Sequence, residues 1–406
     1  MTSQYHFSQA TFSQKFPNND TFKFLVSTDT HLGYKETHSI RKNDSFDAFE
    51  EVLQKAKEYN VDFLLLGGDL FHDLNPSQES LYKCLKLLKD KIFGDKQIEY
   101  QTFWEDQAPN YSNENMNISL PIFIIHGNHD YPSNSFGNLS TLDLLHAGNY
   151  VNYFGKFTDY DNIEVKPIIF HKKDTKIALY GLGHIKDVRL HYLLQNGKIK
   201  FVQPEERPES YFHILVIHQN RFKGMKNWSY KNSVHPKMFP NFFNLIIWAH
   251  EHESMPDIEQ SSEIQAYIYQ PGSSVATSLI EAEAKTKHAG LFTFRKNEFY
   301  FEPIYLTNSE RPLIFKQIEL GNLLKKKGNL NVEEANEEVE KHLEGEINDL
   351  LKEFEKSQST QKEKKNKLPL VRLKTEYSGF DIIRIQRLEG KFRGKVANEG
   401  YLFELT

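Results

Sequence analysis

The sequence predicts an α/β fold joined to a smaller α+β domain. Short apolar runs typical of buried strands alternate with amphipathic helical patterns along most of the chain, and polar residues directly follow five of those runs. The pattern changes after Tyr305, where a long amphipathic segment precedes further strand-like stretches. Because the chain has 406 residues, which is more than one average domain, we expect two domains.

The first elements form a predicted βαβ unit. The apolar run Phe22–Ser27 indicates a buried strand, and residues 44–59 place apolar side chains at the three- and four-residue spacing of a helix. Residues 61–66 (VDFLLL) then indicate a second buried strand. Polar residues follow each strand, as in proteins that hold ligands at the carboxyl ends of a parallel sheet.

Later segments continue this alternation. Helices are predicted over 76–92 and 139–145, with a strand over 122–125 between them. The remaining strands before Tyr305 are predicted over 151–154, 168–170, 177–180, 212–217, 243–248 and 267–269, with a hairpin over 290–294 and 298–304. After Tyr305, a helix is predicted over 332–354 and strands over 368–377 and 379–385.

Composition divides the chain into regions. Residues 1–20 lack periodicity and predict a mobile tail, residues 21–305 the α/β domain, and residues 306–406 the smaller domain. The polar, aromatic-bearing segment 94–118 is long for a connection inside a compact domain, which suggests an insertion with its own function. The charged segment 356–367 predicts a mobile linker.

The overall composition excludes some classes of protein. A formal net charge of −5 argues against a protein that is basic all over, so any contact with nucleic acid must come from local patches and bound metal ions. The single cysteine, Cys84, rules out an intramolecular disulfide and fits a reducing compartment. Neither a membrane-length apolar run nor a signal-peptide core is visible, so we expect a soluble intracellular protein.

Five strand ends carry side chains that could bind metal ions. They supply Asp29, His31, Asp69, Asn128, His129, His218, His250 and His252. Carboxylates and imidazoles without thiolates suit manganese or iron, and zinc less strictly. Two such ions about 4 Å apart can activate water and stabilise both oxygens of an in-line displacement at phosphorus.

The order of these residues suggests how they divide. Asp69 follows the most hydrophobic strand, and we predict that its carboxylate bridges two ions. The coordination of one ion would be completed by Asp29, His31 and His252, and that of the other by Asn128, His218 and His250. His129 lies beside a ligand without being counted as one, so it is free to move protons.

Each fragment also has an ordinary interpretation. An isolated Asp-x-His is usually a capped turn, the GNHD run could be a polar turn, and a lone His218 is most often a core histidine. His250 and His252 are a stronger signal, because alternate residues of extended backbone point the same way. The ordinary interpretations do not explain why all five strand ends carry such residues in this order.

This order of motifs resembles the calcineurin-like metallophosphoesterases, whose fold is a β-sandwich flanked by helices. Longer stretches closely resemble the eukaryotic Meiotic Recombination Eleven nuclease family, relatives of bacterial SbcD: STDTHLGY, LLLGGDLFH, IHGNHD, VIHQNR, WAHEHE and QPGSSVATSL. PLVRLKTEYSGF and GKVAN extend the resemblance into the second domain, so that it covers roughly 21–406. It implies a capping DNA-binding second domain and a nuclease with two Mn²⁺ per protomer. The implied activities are a 3′-to-5′ exonuclease on duplex DNA and an endonuclease on single-stranded and hairpin DNA.

The resemblance also implies roles for individual residues. It implies the metal ligands Asp29, His31, Asp69, Asn128, His218, His250 and His252. His129 becomes the candidate proton donor to the leaving oxygen, and His72 a residue that supports the ligands or faces the phosphate. Two departures stand out: Ala249 replaces the usual glycine before His250, and GLGHIKDVRL lacks the usual arginine–acidic character near Lys186 and Val188, which we expect to be peripheral.

Partners follow from the resemblance as well. It implies DNA ends as the substrate, a homodimer, an SMC-like ATPase of the Rad-fifty family bound by a region C-terminal to this chain, and a nibrin-type regulatory subunit at about 94–118. The chain would then be the catalytic core of a longer nuclear protein. Such a protein acts at chromosome breaks in repair, homologous recombination, meiosis and telomere maintenance, with no membrane contact. We expect 94–118 to stay poorly ordered until the regulatory subunit docks.

Two further surfaces are left open. Leucine stripes on the helices 77–92 and 139–145 could form a seam between protomers, or both could face their own core. Basic residues of the second domain could hold phosphates or form a solvated charged face: Arg384, Arg387, Lys391, Arg393 and Lys395.

Two rival functions remain. Another two-metal phosphoesterase, such as a protein or nucleotide phosphatase, would share the five strand ends but would not need the second domain. A non-catalytic scaffold for DNA ends would have no reason to keep a complete set of ligands. The nuclease is the favoured prediction.

Overall fold

The structure is a computed structural model that describes residues 6–8, 20–105, 107–133, 137–222, 232–296, 298–320, 332–359, 367–376 and 385–406. The helices are α1 (Asp44–Glu58), α2 (Gln78–Ile92), α3 (Thr141–Ala147), α4 (Asp187–Gln195), α5 (Val332–Ser359) and α6 (Ile385–Gly390). The strands before residue 200 are β1 (His6–Ser8), β2 (Phe22–Ser27), β3 (Phe63–Leu66), β4 (Gln101–Phe103), β5 (Ile122–Ile124), β6 (Asn152–Tyr153), β7 (Ile163–Val165), β8 (Ile168–Lys172), β9 (Thr175–Leu182) and β10 (Ile199–Phe201). The later strands are β11 (Phe212–His218), β12 (Leu245–Ala249), β13 (Glu259–Gln260), β14 (Tyr267–Tyr269), β15 (His288–Arg295), β16 (Glu298–Tyr305), β17 (Leu313–Glu319), β18 (Leu370–Glu376) and β19 (Phe403–Leu405).

The chain forms two compact units. The first comprises 1–37, 42–275 and 287–306, and the second 38–41, 276–286 and 307–406. The second unit therefore takes in two short segments from before residue 306. The domain limits 21–305 and 306–406, each a single stretch of chain, stay a prediction.

Two seven-stranded sheets make up most of the first unit. The first sheet has the order β1-β16-β15-β2-β3-β5-β6, in which β2, β3, β5 and β6 run parallel. The second has the order β13-β14-β12-β11-β9-β8-β4, in which β14, β12, β11 and β9 run parallel. Parallel strands are paired at the centre of each sheet, so their carboxyl ends gather at one edge.

Alternation along the strands explains how the layers pack. In β2, Phe24 and Val26 join the core between the two sheets, whereas Leu25 joins the core under α1 and α2. Phe63 of β3 stacks on Phe24 at 4.8 Å between ring centroids and on Phe170 of the second sheet at 5.2 Å. A third core lies on the other face of the second sheet, beneath α4. The predicted sandwich flanked by helices is confirmed.

All residues of the insertion 94–118 except residue 106 are described and have a defined structure, which contradicts the prediction of poor order. Its strand β4 pairs antiparallel with β8. Tyr100 is buried with its ring 5.4 Å from that of Phe22, and Ile118 joins the core under the helices. A few apolar side chains, each packed on an existing core, offset the entropy lost when this polar segment becomes ordered.

Two predictions of mobility fall partly outside the described residues. In the tail 1–20, His6–Ser8 form β1 parallel to β16, and Asp20 is buried, which corrects the prediction for those residues. In the linker 356–367, residues 356–359 form the last turn of α5. Residues 1–5, 9–19 and 360–366 lie outside the described part, as do 379–384 of the predicted strand 379–385.

The second unit contains the parallel sheet β17-β18-β19 and the helix α5. Val339, Leu343 and Ile347 recur every four residues along α5 and pack with Val371 and Leu373 of β18. In the part of the chain that the structure describes, no helix is long and apolar enough to cross a membrane.

Candidate metal centre

The five strand ends meet in the first unit. Asp29 and His31 follow β2, Asp69 follows β3, and Asn128 and His129 follow β5 in the first sheet. His218 ends β11, and His250 and His252 follow β12 in the second sheet. Among the described residues, three groups of potential ligands lie close enough to hold an ion, each with its ligand atoms within 4.8 Å of one another: Asp29, His31 and His252; Asp69, His218 and His250; and His31, His72 and His129.

One set of donor atoms surrounds His218. Its Nε2 lies 3.2 Å from Asp69 Oδ2, 3.1 Å from Asn128 Oδ1 and 3.3 Å from His250 Nδ1. His218 Nδ1 lies 2.9 Å from the carbonyl oxygen of Gly67 and donates to it, so the lone pair of Nε2 points toward the other three atoms. Four lone-pair-bearing atoms therefore converge on one point.

A second set lies beside the first. His31 Nε2 is 3.2 Å from His252 Nε2, which in turn is 3.7 Å from Asp29 Oδ1. Asp69 Oδ2 lies between the two sets, at 3.2 Å from His218 Nε2 and 3.8 Å from His31 Nε2. This is the position that a carboxylate shared by two ions requires.

The chemistry of these donors fits divalent cations. Among the described residues, Asp29 Oδ1 and Asp69 Oδ2 are buried with no hydrogen-bond partner. Burial of a carboxylate oxygen that has no partner destabilises the folded protein by several kcal/mol, as burial of other unpaired charges does. A bound cation would remove this destabilisation. Oxygen and imidazole donors without sulfur suit manganese or iron, as predicted.

The electrostatics point the same way. Burial disfavours a charge on His218, but the carboxylates of Asp69 and Asp29 outweigh it and raise the pKa of the imidazole to about 10. Although burial acts to raise the pKa of Asp69, His218 and His31 hold it well below its usual range. The site thus attracts positive charge, which a proton supplies only when no metal ion is bound.

The backbone around the ligands is held in an uncommon conformation. Asp29, His31, Asp69 and His250 have positive φ values of 51°, 50°, 50° and 80°. Such values cost of order 1–3 kcal/mol for residues with a Cβ and cluster at functional sites. Four of the seven predicted ligands therefore have this strained backbone conformation, and the side chains of all four lie at the two donor sets.

Gly127 and Asp130 of the GNHD loop hold Asp69 in place. A Cβ on Gly127 would lie 2.0 Å from Asp69 Oδ1, so only glycine fits there. Asp130 accepts hydrogen bonds from the amides of Gly127, Asp69 and Leu70, which ties the two loops together. No role was predicted for Asp130, because nothing in the motif shows that this carboxylate faces backbone amides.

His72 and His129 lie at the half-buried side of the site. The His129 ring stacks on the His72 ring at 5.1 Å between centroids, and its Nδ1 contacts the His72 carbonyl oxygen. His72 Nδ1 is 3.4 Å from His31 Nδ1, on the side of that ring away from the metal donors. Both predicted catalytic histidines are therefore adjacent to the ligand groups.

The methyl group of Ala249 is accommodated by a glycine. Ala249 is fully buried, and a Cβ on Gly67 would lie 2.9 Å from the Ala249 Cβ. Gly67 thus leaves the space that the alanine fills. Asn220 is a further residue of the site that was not predicted, and its Oδ1 lies 3.1 Å from His250 Nε2.

Comparison with known proteins places these features in context. Residues 22–254 match the family described as Calcineurin-like phosphoesterase, and residues 299–404 match the Mre11 DNA-binding presumed domain. The chain is 41% identical over 398 residues to the double-strand break repair protein MRE11 of Arabidopsis thaliana, and the match covers 94% of this chain and 53% of that protein.

Two other relatives give the same result. The chain is 38% identical over 401 residues to the double-strand break repair protein mus-23 of Neurospora crassa, covering 93% of this chain and 53% of the relative. It is 37% identical over 394 residues to human MRE11, covering 94% of this chain and 54% of the relative. The chain thus spans about half the length of the curated relatives that it matches.

Proposed function

The chain belongs to the calcineurin-like phosphoesterase family, and from that premise we propose that it is a manganese-dependent DNA nuclease acting at double-strand breaks. Its relatives in the family are the MRE11 double-strand break repair proteins, as the sequence motifs predicted. The observation that carries the proposal is the convergence of seven donor residues into two sets that share Asp69.

Each residue of the site has a proposed role. Asp29, His31 and His252 would hold one Mn²⁺, Asn128, His218 and His250 would hold the other, and Asp69 would be shared by both. Bound there, the two ions would polarise the phosphodiester and supply a hydroxide nucleophile. His129 donates a proton to the departing 3′ oxygen, and His72 holds the His129 ring and faces the phosphate.

DNA is the proposed substrate because of the second unit. Its residues match a family named for presumed DNA binding, which a phosphatase for small substrates would not need. Of the basic residues predicted to hold phosphates, Lys391 pairs with Glu344 at 2.6 Å and Arg393 with Glu399 at 3.5 Å, while Arg384 lies outside the described residues. Exposed pairs of this kind are weak enough to exchange a carboxylate for a phosphate.

Digestion of labelled hairpin, single-stranded and duplex DNA tests the proposed function. We expect cleavage with Mn²⁺ and much less with Mg²⁺. Hydrolysis of p-nitrophenyl phosphate without any cleavage of DNA would instead indicate a phosphatase. Binding of DNA ends without cleavage in either metal would indicate a scaffold.

We also propose a homodimer, with a seam that differs from the predicted one. Leu88 and Ile92 of α2 are buried in the core under the helices, so the leucine stripe of α2 faces its own core at those positions. The exposed apolar side chains of these helices are Tyr82 at 66% and Leu144 at 60%. These two exposed apolar side chains are the groups on the helices that are available to pack against a second protomer.

Leu144→Asp is expected to convert the dimer to a monomer at micromolar concentration, because it places a charge in an apolar seam. Light scattering would measure the mass. Tyr192→Asp, at a residue on α4 that is 59% exposed, is the matched control and should stay dimeric. A wild-type protein that is monomeric at these concentrations would contradict the proposal.

The insertion 94–118 is the proposed contact for a nibrin-type regulatory subunit. Its strand β4 lies at the edge of the second sheet, beside a cleft of about 620 Å³ lined by Phe103, Trp104, Ile169 and Val202 among others. An edge strand with an adjacent apolar cleft is suited to bind an extended peptide. The SMC-like ATPase and a nuclear location remain proposals that rest on the resemblance of the sequence motifs.

Phe103→Asp should weaken binding of the regulatory subunit by about 30-fold or more, the effect of losing a central aromatic contact of about 2 kcal/mol. Phe103 is 54% exposed, so the fold should tolerate the change, whereas deleting the insertion would also remove β4 and the buried Tyr100. Calorimetry measures the affinity, with Tyr401→Asp in the second unit as the control. Unchanged affinity in Phe103→Asp would place the contact elsewhere.

A further inference from the structure

Three polar side chains form a hydrogen-bonded chain that ends at a proposed metal ligand. Asp187 is the first residue of α4, Asn220 follows β11, and His250 follows β12. Asn220 Nδ2 lies 2.6 Å from Asp187 Oδ2, and Asn220 Oδ1 lies 3.1 Å from His250 Nε2. We propose that Asp187 is a positioning residue that acts through Asn220 to fix the tautomer of His250. The proposal rests on the proposed role of His250 as a metal ligand.

The direction of each hydrogen bond follows from the chemistry of the three groups. An ionised carboxylate only accepts, so Asp187 requires the NH₂ group of Asn220 to face it. The amide oxygen of Asn220 then faces His250 Nε2, which must carry the proton to donate to that oxygen. The flipped amide would set its oxygen against the carboxylate and its NH₂ group against Nε2. Asp187 therefore selects one of two amide orientations that Asn220 alone would not distinguish.

The tautomer matters because only one nitrogen of His250 faces the donor set. His250 Nδ1 is 3.3 Å from His218 Nε2, whereas Nε2 faces Asn220. A proton on Nε2 leaves the lone pair on Nδ1, directed at the point where Asp69, Asn128 and His218 converge. With the proton on Nδ1, His250 could not bind an ion there until the tautomer changed.

His250 differs in this respect from His218. The backbone carbonyl of Gly67 fixes the tautomer of His218 directly. His250 lies in a loop at a φ of 80°, and its outer nitrogen meets a side-chain amide instead of a carbonyl. An amide can present either group, so a third residue is needed to make the choice. Asp187 lies between Lys186 and Val188, the two positions where the sequence departs from the family pattern, and it contacts Asn220 directly.

The test measures the tautomer and the metal affinity separately. In metal-free protein labelled with ¹⁵N-histidine, long-range ¹H–¹⁵N spectra distinguish the two tautomers, and His250→Gln identifies the signal. We expect wild-type His250 to carry its proton on Nε2 and Asp187→Ala to show a mixture. Calorimetry with MnCl₂ alone should show a 10- to 100-fold weaker second site in Asp187→Ala, the usual effect of losing an outer partner of a metal ligand.

Two variants separate this role from a general effect on the fold. Asp187→Asn keeps the shape and the contact with Asn220, but its amide can present either an oxygen or an NH₂ group, so it should show the same mixture of tautomers as Asp187→Ala. Asn220→Leu leaves α4 untouched and should give the same mixture as Asp187→Ala. Asp161→Ala, which removes an exposed carboxylate paired with Arg189 of α4, is the control and should resemble the wild type.

The outcomes distinguish this proposal from the proposed function. A wild-type tautomer in both Asp187→Ala and Asn220→Leu would overturn the positioning role, whatever the enzyme does. A tautomer change without any effect on Mn²⁺ affinity would also overturn it. If the wild type binds no Mn²⁺, the proposed function fails, and the inference that rests on it fails as well.

Discussion

Asp69→Ala is expected to abolish nuclease activity and to remove most of the bound manganese. Asp69 Oδ2 lies 3.2 Å from His218 Nε2 and 3.8 Å from His31 Nε2, so its loss opens both donor sets at once. The other oxygen, Oδ1, accepts the amide of His129 at 2.8 Å, so the change also frees the GNHD loop. We expect the rate to fall by more than about 10³-fold, beyond the cost of a single group that stabilises charge.

Two companion variants sharpen this result. Asp69→Asn keeps the volume and the bond to the His129 amide but lacks the negative charge, so it should bind little manganese while keeping the wild-type fold. Asp161→Asn, at an exposed carboxylate, should behave as the wild type. Metal content after dialysis against Mn²⁺ and cleavage of single-stranded DNA are the measurements. Wild-type metal content in Asp69→Ala would show that Asp69 does not bridge two ions.

Much of the fold could be predicted because its central strands are buried on both faces. Strands such as β3 and β11 lie between the two layers of core, so nearly every residue is apolar and the runs are visible in the sequence. The same topology made the predicted ligands visible, because parallel strands bring their carboxyl ends to one edge. Polar residues after successive apolar runs were therefore a reliable guide to residues that come together.

Other features depend on contacts between segments that lie far apart in the sequence, and no local sequence pattern reveals such contacts. β4 is three residues long with an alternately exposed pattern, and only its pairing with β8 makes it a strand. α4 was missed because only Leu190, His191 and Leu193 are buried along it, too few for a clear stripe. The spacing of the leucines correctly predicted helix α2. Only the structure shows that Leu88 is buried in the core of its own unit.

The supporting residues of the site were the hardest to foresee. Asp130 follows two residues that the sequence analysis had given roles, yet its function is to accept backbone amides from two loops. Asp187 lies 33 residues before Asn220, and their contact arises only because α4 and the end of β11 meet in space. Strand-end position identifies the groups that touch an ion, whereas their partners require the tertiary structure.

His129→Asn is expected to bind manganese and DNA nearly as well as the wild type and yet to cleave DNA poorly. The His129 ring is outside the two donor sets that share Asp69, and its Nδ1 is engaged by the His72 carbonyl oxygen. Nδ1 keeps its own proton in that hydrogen bond, so the ring gives the Nε2 proton of its imidazolium form to the departing 3′ oxygen. Asparagine keeps the polarity of the side chain but has no such proton to give. A loss of about 10²–10⁴ in rate is the usual effect of removing a general acid.

The leaving group provides the decisive comparison for His129. A 3′ alkoxide needs a proton as it departs, whereas p-nitrophenolate is stable without one, so a p-nitrophenyl ester of thymidine monophosphate should recover much of the lost rate in His129→Asn. His72→Asn is the companion variant: it keeps the backbone carbonyl that holds His129 and should show a smaller loss with no dependence on the leaving group. If His129→Asn also loses manganese and the activated ester gives no recovery, then His129 is a ligand or a structural residue, and His72 is the next candidate for the proton donor.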